Sequence, residues 1–137
     1  MDVVVLPVGG DSYAIAAKCV RLVVSVPKLT PLVTAPRTVL GLFNLRGEIA
    51  PLLDTAALLG IGTLDNVRYA VVVETPDGPA GIAASGFPSR AVLGEAAGGA
   101  ELPAATASYL LDGRVAVLID VPTLLASDRL GGTAGLS

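Results

Sequence analysis

Two aspartates stand at matching places in an internal repeat and could serve as a pair of catalytic carboxylates. Asp54 follows the apolar run Leu52-Leu53, and 66 positions later Asp120 follows Leu118-Ile119 in the same way. Two carboxylates that share one proton can act as general acid and general base in peptide hydrolysis. The pair therefore raises the hypothesis of an acid–base hydrolase.

The residues around the two aspartates favour a structural role. Aspartic proteases present their catalytic carboxylate as two apolar residues followed by Asp-Thr-Gly or Asp-Thr-Ala, and Asp54-Thr55-Ala56 matches that pattern. The second copy is Asp120-Val121-Pro122, which lacks the hydroxyl that would brace the carboxylate. Aspartate also favours the N-cap of a helix, and residues 55–59 followed by a glycine are typical of a short helix. We therefore predict that both aspartates cap helices, and a protease using Asp54 is the alternative.

The chain contains no histidine and one cysteine, which removes most catalytic and metal chemistry. Ser-His-Asp and Cys-His catalysis both need an imidazole, and most zinc sites draw on cysteine and histidine. We expect Cys19 to be a buried free thiol in a reducing compartment. We also expect that the protein is not an enzyme, and that it holds no metal and no cofactor.

Charge and hydropathy argue against nucleic acid and membrane as partners. The net charge is −3, and no run of lysine and arginine is interleaved with aromatic residues. The N-terminus has no basic segment before its apolar run, so it does not match a secretory signal. Charged residues interrupt every apolar stretch before the ~20 residues that a membrane span needs. We expect a cytoplasmic protein with no nucleic-acid partner and no direct membrane insertion.

The repeat extends along the chain and defines the elements that must position these residues. Residues 3–17 and 70–84 each join two apolar runs through a turn containing glycine and aspartate, which predicts a hairpin. An irregular middle, a strand ending in aspartate and a short helical turn follow in each half. Short strands separated by glycine and proline favour a small all-β sandwich or barrel. We expect a single domain with the following bounds: domain 1–137, repeat halves 2–63 and 67–126, and flexible tail 127–137.

The two halves differ most at one turn. Where the first half has Asn44-Leu45-Arg46-Gly47, the second has Leu110-Leu111-Asp112-Gly113. Asp-Gly is an ordinary turn sequence, whereas a long cation before the glycine is not. Arg46 is therefore a candidate binding residue, and the competing interpretation is that it pairs with Glu48 along the strand surface.

The stretch that contains this turn resembles the CheW family of chemotaxis coupling proteins. Residues 39–54 read Val-Leu-Gly-Leu-Phe-Asn-Leu-Arg-Gly-Glu-Ile-Ala-Pro-Leu-Leu-Asp. The family pattern is a glycine, two apolar residues, Asn-Leu-Arg-Gly, a variable residue, two apolar residues, a proline, two apolar residues and an aspartate. The resemblance covers roughly residues 3–126, with further matches in order at Tyr13-Ala14-Ile15, Val20, Val23, Pro36, Asp112-Gly113 and Leu118-Ile119-Asp120.

The resemblance implies both a fold and a function. The fold would be all-β, with two small five-stranded β-barrel subdomains packed on a shared hydrophobic core and with short helical turns. The function would be that of a non-catalytic adaptor in a signalling array. It would couple the cytoplasmic tip of a methyl-accepting chemoreceptor to the regulatory domain of a CheA-like histidine kinase. The receptor surface is expected near the first barrel, and the kinase surface on the second.

The resemblance also indicates which residues contact these partners. We expect Asn44, Arg46 and Gly47 of the signature turn to contact the receptor or the kinase. Val20 is a further expected contact, because it lies in the segment associated with receptor and kinase contacts. Tyr69 is a further expected contact for the kinase, because we take the second half of the sequence as the second barrel, where the kinase surface is expected. Tyrosine is also enriched at interface hot spots. The alternative for Tyr69 is packing over the barrel end.

Two departures from the family pattern leave the partner surface open. Leu22 stands where an acidic residue is common, and Ala84-Ser85-Gly86-Phe87 replaces the usual Val-Asp-x-Val. A pilus-motility pathway or another chemosensory pathway remains possible on the same residues. A free-standing regulatory module that binds only a kinase also remains an alternative.

Overall fold

The computed structural model describes residues 1–26, 28–100 and 104–126, and it consists mainly of two five-stranded sheets. The strands are β1 (Asp2–Val8), β2 (Asp11–Ala16), β3 (Val20–Ser25), β4 (Val39–Leu45), β5 (Glu48–Leu53), β6 (Tyr69–Thr75), β7 (Gly78–Ala84), β8 (Ser89–Val92), β9 (Ala105–Leu111) and β10 (Arg114–Ile119). The short helices are α1 (Thr55–Leu58) and α2 (Val121–Leu124), and a 3-10 turn spans Ala17–Cys19. The expected tail, residues 127–137, lies outside the described residues.

The two sheets have the same strand order once the halves of the sequence are exchanged. Sheet A has the order β8-β1-β2-β10-β9, and sheet B has the order β3-β6-β7-β5-β4. When every strand is replaced by its counterpart in the other half, one order becomes the other. Each sheet therefore combines the opening hairpin of one half with the other three strands of the opposite half.

This exchange corrects the expectation that the second half alone forms the second barrel. β6 and β7 lie in sheet B with β3, β4 and β5, so the opening hairpin of the second half completes the sheet of the first. Two parallel strand pairs join each opening hairpin to strands of the other half. These pairs are β5 with β7 and β10 with β2. A parallel pair needs a long crossover connection, and passage from one half to the other supplies it.

Each sheet is curled but open. The outer edge of β4 is covered by an isolated bridge between Thr30 and Leu42, and the outer edge of β9 by one between Gly98 and Ser108. Covered edges are poor templates for strand addition by another chain. The expected all-β architecture of two five-stranded subdomains is confirmed, with curled open sheets in place of closed barrels.

The core is aliphatic and is shared by the two sheets. Its main cluster joins side chains of sheet A with side chains of sheet B, among them Leu6, Ile15, Phe43, Leu52 and Val71. A smaller cluster contains Val3 and Ala14 of sheet A and Leu93, which follows β8 directly. The expectation of a shared hydrophobic core is therefore confirmed. Because burial of apolar area is the main stabilising term, the two sheets stabilise one another.

Candidate protein-docking surfaces

The turn between β4 and β5 presents the signature arginine to solvent. Arg46 and Gly47 have φ angles of 52° and 89°, and positive φ at both central residues is typical of a type I′ turn. The side-chain oxygen of Asn44 accepts a hydrogen bond from the backbone N–H of Gly47 at 2.8 Å. Arg46 is exposed, and within the described ranges it makes no ion pair. Asn44 and Gly47 therefore shape the turn, and Arg46 is available for a partner.

Glu48, the acidic residue beside this turn, pairs with Arg21 and not with Arg46. Arg21 binds Glu48 at 3.3 Å and Glu74 at 2.8 Å. The predicted alternative, pairing of Arg46 with Glu48, is wrong for this reason. The two carboxylates raise the pKa of Arg21 above its usual value, because their hydrogen bonds favour the charged guanidinium.

Arg21 reaches both carboxylates because of a β-bulge and the curl of sheet B. Val20 pairs with Val73 and Leu22 pairs with Val72, so Arg21 is the extra residue of β3. β3 and β5 are separated by β6 and β7 in the sheet order, so the contact between Arg21 and Glu48 spans the curled sheet. Leu22, where the family commonly has an acidic residue, packs against the core instead.

An open cavity lies between sheet B and the helix α2. It has a volume of about 860 Å³, and its walls come from the first residues of β3, from β5, from the β6–β7 turn and from α2. We call it the α2 groove, and its apolar lining includes Val20, Val39, Leu53, Val121 and Leu125. Cys19, predicted to be buried, is a half-buried free thiol in its wall. An open apolar cavity of this size is typical of a binding site.

Tyr69 lies away from the other candidate residues. It pairs with Ser25 at one end of β6, whereas Val20 pairs with Val73 near the other end, about 13 Å along the strand. The Tyr69 ring is half-buried and stands edge-on to Phe87, with ring centroids 5.2 Å apart and an interplanar angle of 86°. The alternative that Tyr69 packs over a sheet end agrees with this contact, and its role in binding stays a prediction.

The two aspartates are helix caps. Asp54 accepts a hydrogen bond from the backbone N–H of Ala57, and both of its carboxylate oxygens accept from the N–H of Leu64 at 3.1 to 3.2 Å. Asp120 accepts from the backbone N–H of Thr123 at 3.1 Å. Asp54 is only 1 % exposed. A carboxylate held in this way cannot reach a peptide substrate, so the structure gives the protease hypothesis no active site at Asp54.

Several exposed apolar residues were not predicted from the sequence. Ile49 is 62 % exposed beside the β4–β5 turn, and its counterpart Val115 is 57 % exposed beside the β9–β10 turn. Leu110 and Phe87 are 63 % and 68 % exposed. The repeat could have pointed to Ile49, Leu110 and Val115. Leu110 aligns with Asn44 and Val115 aligns with Ile49, beside the turn that already contained a candidate binding residue.

The described part of the chain contains no cluster of residues that could hold a metal ion. Within the same ranges, no helix is both long enough and apolar enough to cross a membrane. The candidate surfaces considered below are the β4–β5 turn, the α2 groove and the pair formed by Tyr69 and Phe87.

Comparisons with known proteins agree with this architecture. The chain is 32 % identical over 73 residues to the chemotaxis protein CheW of Rhizobium meliloti, a match that covers 53 % of this chain and 47 % of that protein. The chain thus spans about half the length of the curated relative that it matches. The crystal structure of the scaffolding protein TtCheW from Thermoanaerobacter tengcongensis superposes with a TM-score of 0.78 and 20 % identity, covering 93 % of this chain and 89 % of that one. A family model for the CheW-like domain matches residues 2–129, and the chain therefore belongs to the CheW-like domain family.

Proposed function

We propose that the protein is a non-catalytic chemotaxis adaptor that couples chemoreceptors to a CheA-type histidine kinase. Membership of the CheW-like family supports the proposal, as do the relatives described as a chemotaxis protein and as a scaffolding protein. An adaptor needs at least two docking surfaces that do not overlap. The α2 groove and the aromatic pair at the far end of β6 meet that requirement, and this separation is the observation that carries the proposal.

The α2 groove is the proposed site for the receptor tip. Val20 lies in its wall, and Arg21 joins that wall to Glu48 beside the signature turn. Sheet B and α2 belong to different parts of the fold, since α2 follows a strand of sheet A. The groove therefore requires both sheets, which gives the two-subdomain architecture a role in binding.

The pair formed by Tyr69 and Phe87 is the proposed contact for the kinase regulatory domain. The original basis for Tyr69, membership of the second barrel, no longer applies because β6 belongs to sheet B. The new basis is its contact with an exposed phenylalanine, since aromatic anchors dominate many interfaces. A kinase bound there leaves the groove free for the receptor.

The proposal is tested by titrating the receptor tip and the kinase regulatory domain separately against the purified protein. Val20→Ser should weaken receptor binding by roughly tenfold, as loss of 1.4 kcal/mol would. Arg46→Ala should weaken binding of at least one partner. Val23→Ser is the matched control, because Val23 lies on the same strand outside the groove wall. Equal losses at both valines, or binding of neither partner by the wild type, would contradict the proposal.

A module that binds only a kinase is the second candidate. Leu22 favours it, because a core-packed leucine replaces the acidic residue common at that position in the family. The same titrations separate the two candidates, since a kinase-only module binds the regulatory domain and shows no affinity for the receptor tip.

A further inference from the structure

The arginine of the signature turn has no ion-pair partner, although an acidic residue is close to it in sequence. Arg46 makes no ion pair within the described ranges, and Glu48 follows it by two positions. Two positions of chain separate Cα atoms by at most ~7 Å, and both side chains are long. Glu48 is therefore within reach of Arg46, and a competing contact keeps the two apart.

That competing contact is made by Arg21. Its Nη1 donates to Oε1 of Glu48 at 3.3 Å and to Oε2 of Glu74 at 2.8 Å. Leu45 and Glu48 lie directly opposite one another in the β4–β5 ladder, so both side chains are on one face of sheet B. Leu45 is buried on the core-facing side. Glu48 therefore lies at the open end of that side, where Arg21 meets it across the curled sheet.

Two features of β3 and β6 aim Arg21 at the turn. Arg21 is the extra residue of the β-bulge in β3, and a bulge changes the direction of a side chain. Glu74, near the end of the neighbouring strand β6, holds the guanidinium by the shorter of the two contacts. A charge-assisted hydrogen bond of this length is a strong one. Arg21 is thus anchored on β6 and extends to the first residue of β5.

Glu48 is not part of the family pattern. The position after Asn-Leu-Arg-Gly is variable in that pattern, and this chain places a carboxylate there. A carboxylate two residues from the signature arginine can neutralise it. Arg21 supplies a second cation that competes for the same carboxylate. The two residues together leave the turn with an acidic neighbour and an unpaired arginine.

We propose that Arg21 is a positioning residue, which keeps Arg46 available to a partner by holding the carboxylate of Glu48. Without Arg21, Glu48 pairs with Arg46 in a fraction of the molecules, and those molecules present no free guanidinium at the turn. The partner is one that brings a carboxylate to Arg46, because guanidinium–carboxylate pairs are strong and often bidentate. The inference rests on the proposed function in one respect, which is that Arg46 contacts a partner.

The test is isothermal titration of Arg21→Met with the receptor tip and with the kinase regulatory domain in turn. It concerns whichever of these two loses affinity with Arg46→Ala. Arg21→Met should weaken that binding by roughly threefold to fivefold, because an exposed ion pair forms only part of the time and only the competent fraction binds. Glu48→Gln alone should bind like the wild type, since Arg46 is already free.

Two double variants of equal net charge separate positioning from long-range electrostatics. Arg21→Met/Glu48→Gln should recover the wild-type affinity, because no carboxylate remains beside the turn to pair with Arg46. Arg21→Met/Glu74→Gln should stay as weak as Arg21→Met, because Glu48 is still present. A role of Arg21 confined to the stability of sheet B predicts no recovery in either double variant. Circular dichroism verifies the fold of each variant before titration.

Nuclear magnetic resonance of the Arg46 guanidinium tests the same competition without a partner. The Arg46 Nε–H signal should move little in Glu48→Gln, shift in Arg21→Met, and return in Arg21→Met/Glu48→Gln. The first of these comparisons needs no change at Arg21, so it decides the question even if Arg21→Met does not fold. A large shift in Glu48→Gln would show that Glu48 already pairs with Arg46 in the wild type, and it would overturn the proposal.

Three titration results would also overturn it. They are wild-type affinity in Arg21→Met, failure of Glu48→Gln to rescue Arg21→Met, and equal recovery in the two double variants. These results leave the assignment of Arg46 as a contact intact. If Arg46→Ala leaves both affinities unchanged, that assignment fails and the inference fails with it.

Discussion

Arg46 and Asp112 occupy equivalent positions in two turns of one geometry, with φ angles of 52° and 51°. Aspartate tolerates this left-handed region because its short polar side chain can bond locally, whereas arginine does so at a cost of roughly 1 kcal/mol. The chain therefore keeps an unfavourable residue at an exposed turn. A residue that costs stability and makes no ion pair within the described ranges is a sign of an external role.

We predict that Arg46→Asn stabilises the protein by about 0.5–1 kcal/mol, because asparagine accepts positive φ more readily. The melting temperature should rise by a few degrees. Asp112→Asn is the matched control and should change stability little. An equal gain at both positions, or a loss at Arg46, would show that backbone strain is not what distinguishes the two turns.

Asp54→Asn should destabilise the protein by about 1–2 kcal/mol, more than a cap substitution alone. Both carboxylate oxygens of Asp54 accept from the Leu64 N–H, and an asparagine would direct its NH₂ group at that donor. Asp120→Asn should cost less than about 0.5 kcal/mol, because Asp120 is exposed and asparagine caps equally well. Urea unfolding measures both changes.

Partner affinity of the folded fraction should be unchanged in Asp54→Asn, since Asp54 is buried. A peptidase activity in the wild type that this substitution abolishes would restore the protease hypothesis. Equal destabilisation at both aspartates would show that the Leu64 contact contributes nothing beyond capping.

Much of this fold could be predicted from local sequence. The two caps, the two opening hairpins and the core strands follow from residue type and spacing, which act over a few residues. The opening hairpin of the second half has Pro76 and Asp77 as the central residues of its turn. Gly78, although it belongs to the predicted turn sequence, is the first residue of β7.

The exchange of hairpins between sheets could not be predicted from the halves alone. The repeat shows which segments are alike, but parallel pairing of β5 with β7 is a long-range contact. The partner of Glu48 was missed for the same reason, since Arg21 reaches it only across a curled sheet. A contact between residues that are distant in sequence, brought together by the curvature of a sheet, leaves no local pattern in the sequence.

Stability at alkaline pH should depend on Tyr13. Burial, and secondarily the charge of Asp11, raise the pKa of Tyr13 above its ordinary value of about 10. The folded state therefore favours the neutral phenol, and this contribution is present below pH ~10 and lost as the pH rises through the folded pKa. Urea unfolding of the wild type should show stability falling above that pH, and Tyr13→Phe should reduce the fall. An equal fall in both proteins would assign it to other groups.

The last prediction separates binding from stability at the aromatic pair. Phe87 is 68 % exposed, so Phe87→Ala should leave stability nearly unchanged while it weakens kinase-domain binding by at least roughly tenfold. Tyr69→Ala should lower both stability and kinase affinity, because the half-buried Tyr69 ring holds Phe87 in place at 5.2 Å. Tyr69→Phe keeps the ring contact and should preserve affinity. Val92→Ala is the control, since Val92 is an apolar residue that is also 68 % exposed.

Receptor-tip affinity decides whether the effect of Phe87→Ala belongs to a separate surface. The aromatic pair lies at the opposite end of β6 from Val73, the partner of Val20 in the groove wall, so receptor binding should survive Phe87→Ala. Isothermal titration with each partner in turn measures both affinities. If Phe87→Ala and Val92→Ala weaken kinase binding equally, or if both partners lose affinity with Phe87→Ala, the pair is not a kinase-specific contact. Tyr69 would then serve only to cover the end of sheet B.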